Sequence, residues 1–401
     1  MDTSHVRQFF FSATFLAAIG AHVFLGWWLL TTFPRLRHRR RAAMVAIGLT
    51  FAVAPMGRLL AALGSSSLGS GLAAVGTTEW MVALLAFLPL AAIVFGLRAT
   101  ARVIPWPRVH ESATPPKARV EPMSRSRREV VECGAGLAVL GVTAATLGWG
   151  SAFGRHEFQI EEMVVRVPGL PKSLEGYTIA QISDIHAGLF VGERELGEGL
   201  SRVRELHPDL VVATGDLVDL DTSHAPLLAR RLADLAPRDG VAAILGNHDY
   251  YAGFTRVVAA MRAAGVRLLL NDGELLRKGD GGGFALLGVD DLWARRHGGA
   301  GPNLDRALAM VPADAPRILL AHQPNYLELA RGRVALQLSG HTHGGQINPG
   351  FRPADILMRY VAGRYEEQGT TLWVNRGFGV AGPPSRIGAP PEVTKVVLVS
   401  A

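Results

Sequence analysis

The run Val241-Ala242-Ala243-Ile244-Leu245 ends in Gly246-Asn247-His248-Asp249, an amide, an imidazole and a carboxylate with no spacer between them. Loops at strand ends are where a rigid sheet presents polar chemistry. Four other apolar runs end the same way. Tyr177–Ser183 leads into Asp184-Ile185-His186, Val211–Thr214 into Gly215-Asp216-Leu217-Val218-Asp219, Ile318–Ala321 into His322, and Val334–Ser339 into Gly340-His341-Thr342-His343. These residue types are the oxygen and imidazole donors that hard to borderline divalent metals take. Any one of these histidines alone is more often a surface or capping residue. Five strand ends carrying such donors are not explained by turn chemistry.

Asp184 and His186 are two apart, which on an extended backbone places both side chains on one face. His341 and His343 repeat that spacing. Gly215 lets the chain turn sharply before Asp216. The candidate ligands are therefore Asp184, His186, Asp216, Asn247, His322, His341 and His343. They are too many for one tetrahedral site. They suit two divalent ions sharing a bridging carboxylate, with Mn, Fe or Zn matching the mixed donor set. Two metals about 3.5–4 Å apart can clamp the attacking and leaving oxygens of a phosphoryl displacement and activate a water between them.

The elements that must hold these residues occupy the C-terminal part of the chain. From about Phe158, short Val/Ile/Leu runs alternate with helical patterns at Glu193–Leu206, Ala225–Leu235, Thr255–Ala264 and Leu304–Met310. Gly281-Gly282-Gly283 reads as a hairpin tip between Leu275–Arg277 and Phe284–Gly288, and Thr371–Val374 and Val393–Val399 read as late strands. Alternating strands and helices followed by hairpins predict an α/β domain with mixed sheets over 154–401.

Residues 1–153 read as membrane. Apolar runs cover 9–33, 42–63, 79–97 and 130–153, each near the ~20 residues that a bilayer requires. The first run is long, and a basic cluster follows it rather than precedes it, unlike a secretory signal. Loop 34–41 holds five arginines, loop 64–78 holds no Lys or Arg, and the proline-containing segment 98–129 holds eight Lys+Arg. Basic loops stay cytoplasmic. The expectation is a multi-pass protein of the cytoplasmic membrane with the C-terminal domain on the extracytoplasmic side. Ser126-Arg127-Arg128 resembles a twin-arginine export signal, which would place the domain on the same side. Arg58, within the second run, is expected to snorkel or face the bundle, and no intramembrane acid–base pair stands out.

The net charge of +7 belongs to the N-terminal region: residues 1–150 carry +9 and residues 151–401 carry −2. A domain that grips nucleic acid needs its own basic surface, so no nucleic-acid partner is expected; the bilayer is. The single cysteine, Cys133, excludes an intramolecular disulfide and a cysteine zinc cluster.

Asp-x-His at 184–186, Gly-Asp-x-x-Asp at 215–219, Gly-Asn-His-Asp at 246–249, the lone His322 and Gly-His-Thr-His at 340–343 follow one another in order. This set resembles the calcineurin-like metallophosphoesterases over about residues 177–400. Gly344-Gly345-Gln346 and Arg376-Gly377-Phe378-Gly379 resemble a narrower, membrane-anchored bacterial branch, some members of which act on UDP-2,3-diacylglucosamine in lipid A synthesis. The resemblance implies a β-sandwich flanked by helices and a binuclear phosphoesterase. It implies one metal on Asp184, His186, Asp216 and His343 and another on Asp216, Asn247, His322 and His341, with Asp216 as bridge. It further implies that His248 contacts the phosphoryl oxygen or protonates the leaving group, oriented by Asp219, with Asp249 as the substitute. All the ligand positions are filled, and His248 is present, which argues against a non-catalytic binding module.

The stretch Gln346–Tyr365 mixes Phe351, Ile356, Leu357, Met358 and Tyr360 with Arg352, Arg359 and Arg364. It is expected beside the site at the membrane surface, its apolar residues taking acyl chains and its arginines phosphates of a lipid-linked substrate. Arg376 and Arg386 are further candidates for phosphate contact. A UDP-2,3-diacylglucosamine hydrolase is the alternative. The outward orientation counts against it, because a nucleotide-activated precursor is expected in the cytoplasm.

Overall fold

The computed structural model describes residues 3–63, 66–103, 127–276 and 282–401. These divide into two compact units, Phe10–Trp149 and Gly150–Ala401. In the first, four helices are long and apolar enough to cross a membrane, with candidate spans Ala13–Thr32, Arg40–Ala61, Gly71–Thr100 and Val130–His156. Their outward faces expose Leu16, Val45, Leu49, Leu88 and Val142, as lipid-facing helices do. The third helix, Ser66–Val103, is longer than the 79–97 expected from hydropathy and absorbs most of the loop 64–78. Small residues explain this. A Cβ on Gly57 would lie 2.2 Å from the Ala73 backbone and one on Gly76 2.2 Å from that of Ala54, so the second and third helices pack backbone to backbone. Of the basic segment 98–129, residues 104–126 lie outside the described residues, as does Ser126 of the export-like motif.

Thr32 donates to Glu132 (3.1 Å), which also accepts from Arg98 (2.6 Å). The ends of the first and third spans and the start of the fourth are therefore gathered at one end of the bundle. In sequence, the arginine-rich segments follow the first and third spans. Deeper in, the structure corrects the expectation that no intramembrane acid and base pair. His22 Nδ1–H donates to Ala18 O (2.7 Å), and its Nε2 meets Glu79 at 2.9 Å. The partners lie 57 residues apart on different spans, so no local pattern announces them. Arg58 reaches Thr77 of the next helix at 3.5 Å, within the bundle.

Among the described residues, the second unit has twelve strands: β1 (Gln159–Val167), β2 (Tyr177–Ile182), β3 (Leu210–Thr214), β4 (Val241–Ile244), β5 (Arg267–Leu268), β6 (Asp272–Leu276), β7 (Phe284–Gly288), β8 (Arg317–Leu320), β9 (Leu336–Ser339), β10 (Gly363–Glu367), β11 (Thr370–Val374) and β12 (Glu392–Ser400). They form two six-stranded sheets, β1-β12-β2-β3-β4-β5 and β10-β11-β9-β8-β7-β6. The sheets pack face to face. Ile179, Leu210, Val212 and Ile244 of the first meet Phe284, Leu286, Ile318, Leu320, Leu336 and Leu338 of the second. Because side chains alternate along a strand, Ala180, Ile182, Val211 and Ala243 face outward, onto Leu196, Leu200 and Val203 of Glu193–Glu205 and onto Leu228 and Leu232. Ala285, Leu287 and Leu319 likewise cover themselves with Leu304 and Ala307. Strands buried on both faces must be apolar throughout, which is why the sequence shows runs rather than alternation.

β1 has no counterpart in the sequence reading. It alternates buried and exposed residues at one edge and pairs in parallel with β12, a pattern diluted by Glu161, Glu162 and Arg166. The predicted hairpin is present as antiparallel β6 and β7; residues 277–281, including Gly281 of its expected tip, lie outside the described residues.

Candidate metal centre

Parallel pairing brings the donors together. The registers Ile182↔Ala213 and Thr214↔Ile244 bring the ends of β2, β3 and β4 side by side, and Leu320↔Leu338 does the same for β8 and β9. Beyond the strands the loops remain tied: Asp184 N–H donates to Gly215 O (3.0 Å) and His186 N–H to Asp216 O (2.9 Å). The buried Gln181 amide crosses between the sheets to Ser339 O at 3.0 Å.

The backbone that presents the donors is not extended, which corrects the sequence argument. Asp184, His186, Asp216, His341 and His343 all adopt positive φ, between 49 and 72°. Left-handed residues, not a pleated strand, turn the side chains of each Asp-x-His or His-x-His pair inward. Such conformations cost roughly 1–3 kcal/mol each and persist where the surroundings over-determine them. Five in one loop cluster are a large charge against a domain stability of about 5–15 kcal/mol. Glycines supply the remaining room. A Cβ on Gly246 would lie 2.2 Å from Asp216 Oδ1, and one on Gly340 2.1 Å from Asp184 Oδ2.

The donor atoms converge in two clusters that share Asp216. His343 Nε2 lies 3.0 Å from His186 Nε2 and 3.5 Å from Asp184 Oδ1, and His186 Nε2 lies 3.6 Å from Asp216 Oδ2. On the other side, His322 Nε2 lies 3.3 Å from the same Asp216 Oδ2 and 3.3 Å from His341 Nδ1. Ligands on one tetrahedral ion with bonds of ~2.0–2.1 Å are about 3.3 Å apart, so these are the spacings of ligands around a common centre. Asp216 Oδ1 accepts the His248 backbone N–H (2.8 Å), which leaves Oδ2 for both clusters. His322 Nδ1–H donates to Thr214 O (2.8 Å), so its Nε2 lone pair faces inward. Asn247 Oδ1 is buried and has no hydrogen-bond partner, a cost that a cation at this place removes.

Electrostatics fit the same occupant. Burial holds His341 down to about 3, with nearby His322 adding to it, and holds His343 well below the usual range, helped by His186 and Arg386. Both are neutral and free to ligate. Burial also opposes charge on His322, but Asp216 and Asp184 overcome it and lift that imidazole to about 10. Without an ion the pocket draws a proton to balance its carboxylates; divalent cations answer the same demand. The donor set thus forms candidate clusters that fit a binuclear site for divalent ions.

His248 belongs to neither of these two clusters, although its ring also forms a metal-capable group with His186 and Asp216. Its ring stands edge-on to His186 with centroids 4.5 Å apart, and its Nδ1 meets Asp219 Oδ1 at 3.1 Å. Burial opposes its charge, but Asp216 and Asp219 raise it to about 9. Burial likewise works against ionised Asp219, yet nearby His186 (Nδ1 3.6 Å away) and the hydrogen-bonded His248 hold its carboxyl well below the usual range. Asp249 does not reach the ring. Its carboxylate accepts the backbone N–H groups of Gly246 (2.9 Å), Leu217 (3.2 Å) and Val218 (3.0 Å), binding the β3 loop to the β4 loop.

The arginines occupy different places. Arg376 pairs with Glu161 (2.6 Å) and Glu392 (2.8 Å), Arg352 with Asp355 (2.8 Å), and Arg359 with Glu367 (2.6 Å). Arg386 is fully buried. It donates to the carbonyls of Gly379, Arg376 and Ala389, and its Nη2 lies 3.2 Å from His343 Nδ1. It therefore places a positive charge behind a ligand, not in the open site. Phe351, Ile356, Leu357 and Met358 are exposed, Leu357 by 87%, on the loop and short helix that follow His343.

Several residues at the centre escaped the sequence reading. Tyr251 and Trp293 stand against His248 and His341. Asp291, buried beside His322, is pushed up to about 6 by burial. The available signal was a sixth strand, β7, running through Val289 into Asp290-Asp291, which repeats the pattern of the other five.

A protein-family model described as calcineurin-like phosphoesterase matches residues 177–345, from β2 through the turn after His343. The chain is similar to a transmembrane protein with metallophosphoesterase domain from Danio rerio, 34% identical over 290 residues, covering 69% of this chain and 66% of that one. It is similar to the uncharacterized metallophosphoesterase YkuE of Bacillus subtilis, 32% identical over 273 residues, 65% of this chain and 94% of that one. An uncharacterized metallophosphoesterase of Aquifex aeolicus is 34% identical over 260 residues, 64% of this chain and 97% of its own. The chain thus spans slightly less than two thirds of the Danio rerio protein and nearly all of the two bacterial ones.

Proposed function

Because this chain belongs to the calcineurin-like metallophosphoesterase family, we propose that its centre hydrolyses a phosphoester or diphosphate bond of a lipid-linked substrate at the membrane surface. The observation that carries the reading is the pair of ligand clusters sharing Asp216 Oδ2, with the unligated His248 beside them on Asp219. Asp184, His186, Asp216 and His343 would hold one ion and Asp216, Asn247, His322 and His341 the other. Bound there, the ions polarise the phosphoryl oxygens and supply an activated water. The chain does the rest. Asp216 fixes the spacing of the two ligand sets. His248, protonated and held by Asp219, gives its proton to the departing oxygen. A structural metal site would not need this second, separately oriented imidazole.

Two features support a substrate in the bilayer. The phosphoesterase unit follows four membrane-length helices, and the Danio rerio relative is named a transmembrane protein with metallophosphoesterase domain. Phe351, Ile356, Leu357 and Met358 present an exposed apolar edge within fifteen residues of His343, of the kind that lies in a lipid interface. Arg352 and Arg359 flank it and would meet headgroup phosphates from their carboxylate pairs. The positive-inside rule favours a cytoplasmic basic end of the bundle, and with it a catalytic unit on the outer side. A nucleotide-activated substrate such as UDP-2,3-diacylglucosamine is disfavoured on that side.

The test compares Leu357→Ser/Met358→Ser with wild type, on a phosphodiester lipid in vesicles and on a small soluble diester. The expected result is at least about a tenfold loss on the lipid, since removing two apolar anchors forfeits about 1.5–3 kcal/mol each when fully buried, and less than a twofold change on the soluble ester. Equal loss on both would overturn the lipid reading and leave the hydrolase standing.

A further inference from the structure

The edge of the metal centre nearest His248 and His341 is an aromatic wall. The Tyr251 ring lies 5.4 Å from that of His248, the Trp293 indole lies nearly parallel to Tyr251 (6.4 Å, 21°), and Trp293 meets His341 edge-on (5.7 Å, 85°). Both Tyr251 and Trp293 are half-buried, so each keeps part of its surface exposed. His297 backs the far side of Tyr251 at 5.1 Å.

The wall is built, not incidental. Asp291 Oδ1 accepts the Trp293 backbone N–H at 2.7 Å, and Gln323, the neighbour of ligand His322, donates to Asp291 Oδ2. Gln323 Oε1 in turn accepts the Leu292 N–H at 3.3 Å. Asp290 holds the same loop at its other end through Gly301 N–H (2.9 Å) and is bound by Tyr250, the buried neighbour of Tyr251. Two buried carboxylates fixing one loop are costly unless fully bonded. Their effect here is to lock an indole against one half of the metal centre.

Given the reading of His248 as the leaving-group acid, we infer that the Tyr251–Trp293 wall is the leaving-group subsite and that it takes an alcohol carrying a ring with an apolar face. In the step it serves, the water oxygen bonds to phosphorus and releases a proton to solvent, the bond from phosphorus to the ring alcohol's oxygen breaks, and that oxygen takes the proton from His248, which solvent then re-protonates. The ring attached to that oxygen then lies against the aromatic faces. An aromatic ring and the C–H face of a sugar or cyclitol share this chemistry, whereas a short alkyl chain gains little from it.

The experiment uses full-length protein in detergent with Mn²⁺ as the probe metal and three methyl phosphodiesters, whose second alcohol is phenol, cyclohexanol or ethanol. Each ester is compared between wild type, Trp293→Ala and Trp293→Phe, so intrinsic leaving-group reactivity cancels. The inference predicts that Trp293→Ala lowers kcat/KM for the ring esters about tenfold more than for the ethyl ester, and that Trp293→Phe restores most of it. A larger effect on the phenyl ester identifies an aromatic group as the natural one; a larger effect on the cyclohexyl ester identifies a saturated ring. The same factor on all three would overturn the inference. Should no ester turn over in wild type, the hydrolase reading fails while the subsite is still tested by equilibrium binding. Phenylphosphonate should then bind about tenfold tighter than ethylphosphonate to wild type and not to Trp293→Ala, and equal affinities would overturn it.

Discussion

Asp219 and His248 form a unit whose state depends on charge a few ångströms away. Burial alone would deprotonate His248; Asp216 and Asp219 together lift it to about 9. Ions at the centre offset the Asp216 charge and bring that value down, while Asp219 stays. A general acid works only while protonated, so kcat/KM should fall as pH rises through the His248 pKa, at or below about 9. In Asp219→Asn the lost carboxylate removes a raising influence. The basic limb of the profile should move down by about one pH unit or more, and kcat should drop about 10²-fold or more. A basic limb that does not move would show that His248 is not the acid.

At the scale of elements, the site is a set of loops at parallel strand ends held in left-handed conformations by cross-loop hydrogen bonds and close-packed glycines. Gly246 has ordinary φ, so its lack of a side chain matters only for space. Gly246→Ala should push a methyl into Asp216 Oδ1 and cost the bridge. The expected protein is folded by circular dichroism but binds at most one ion per chain instead of two; retention of two would contradict the packing argument. This is also the scale at which the sequence is most and least legible. Strands β2, β3, β4, β8 and β9 are buried on both faces, so they are plain apolar runs, and the donors that end them stand out by type. Left-handed backbone at Asp184 and His186 leaves no mark in composition, and spacing alone suggested a pleat. Trp293 and Tyr251 reach the centre through loops fixed by Asp290 and Asp291, contacts that no periodicity records. The partnership of His22 with Glu79 likewise depends on two spans meeting, and β1 hides because half of its residues face outward at a sheet edge.

For the whole molecule, the question is which compartment the phosphoesterase unit serves. The contacts among Thr32, Arg98 and Glu132 gather at one end of the bundle the span ends that border the basic segments in sequence. With the arginine-rich end cytoplasmic, a C-terminal alkaline phosphatase fusion should be active and a C-terminal green fluorescent protein fusion dark; the reverse would place the unit inside and reopen a nucleotide-linked substrate. The account's central claim is narrower and rests on Asp216 Oδ2 serving two ions. Its most direct measurement is metal content and phosphodiester turnover on the same full-length samples: wild type, Asp216→Asn and His248→Ala, each chelated and then titrated with Mn²⁺ or Zn²⁺. Wild type should regain turnover as it takes up two ions per chain. Asp216→Asn should lose binding by more than about a hundredfold and turnover with it, whereas His248→Ala should bind two ions and turn over about 10²–10⁴-fold more slowly. Turnover by chelated wild type, or full activity in Asp216→Asn, would contradict the binuclear centre itself.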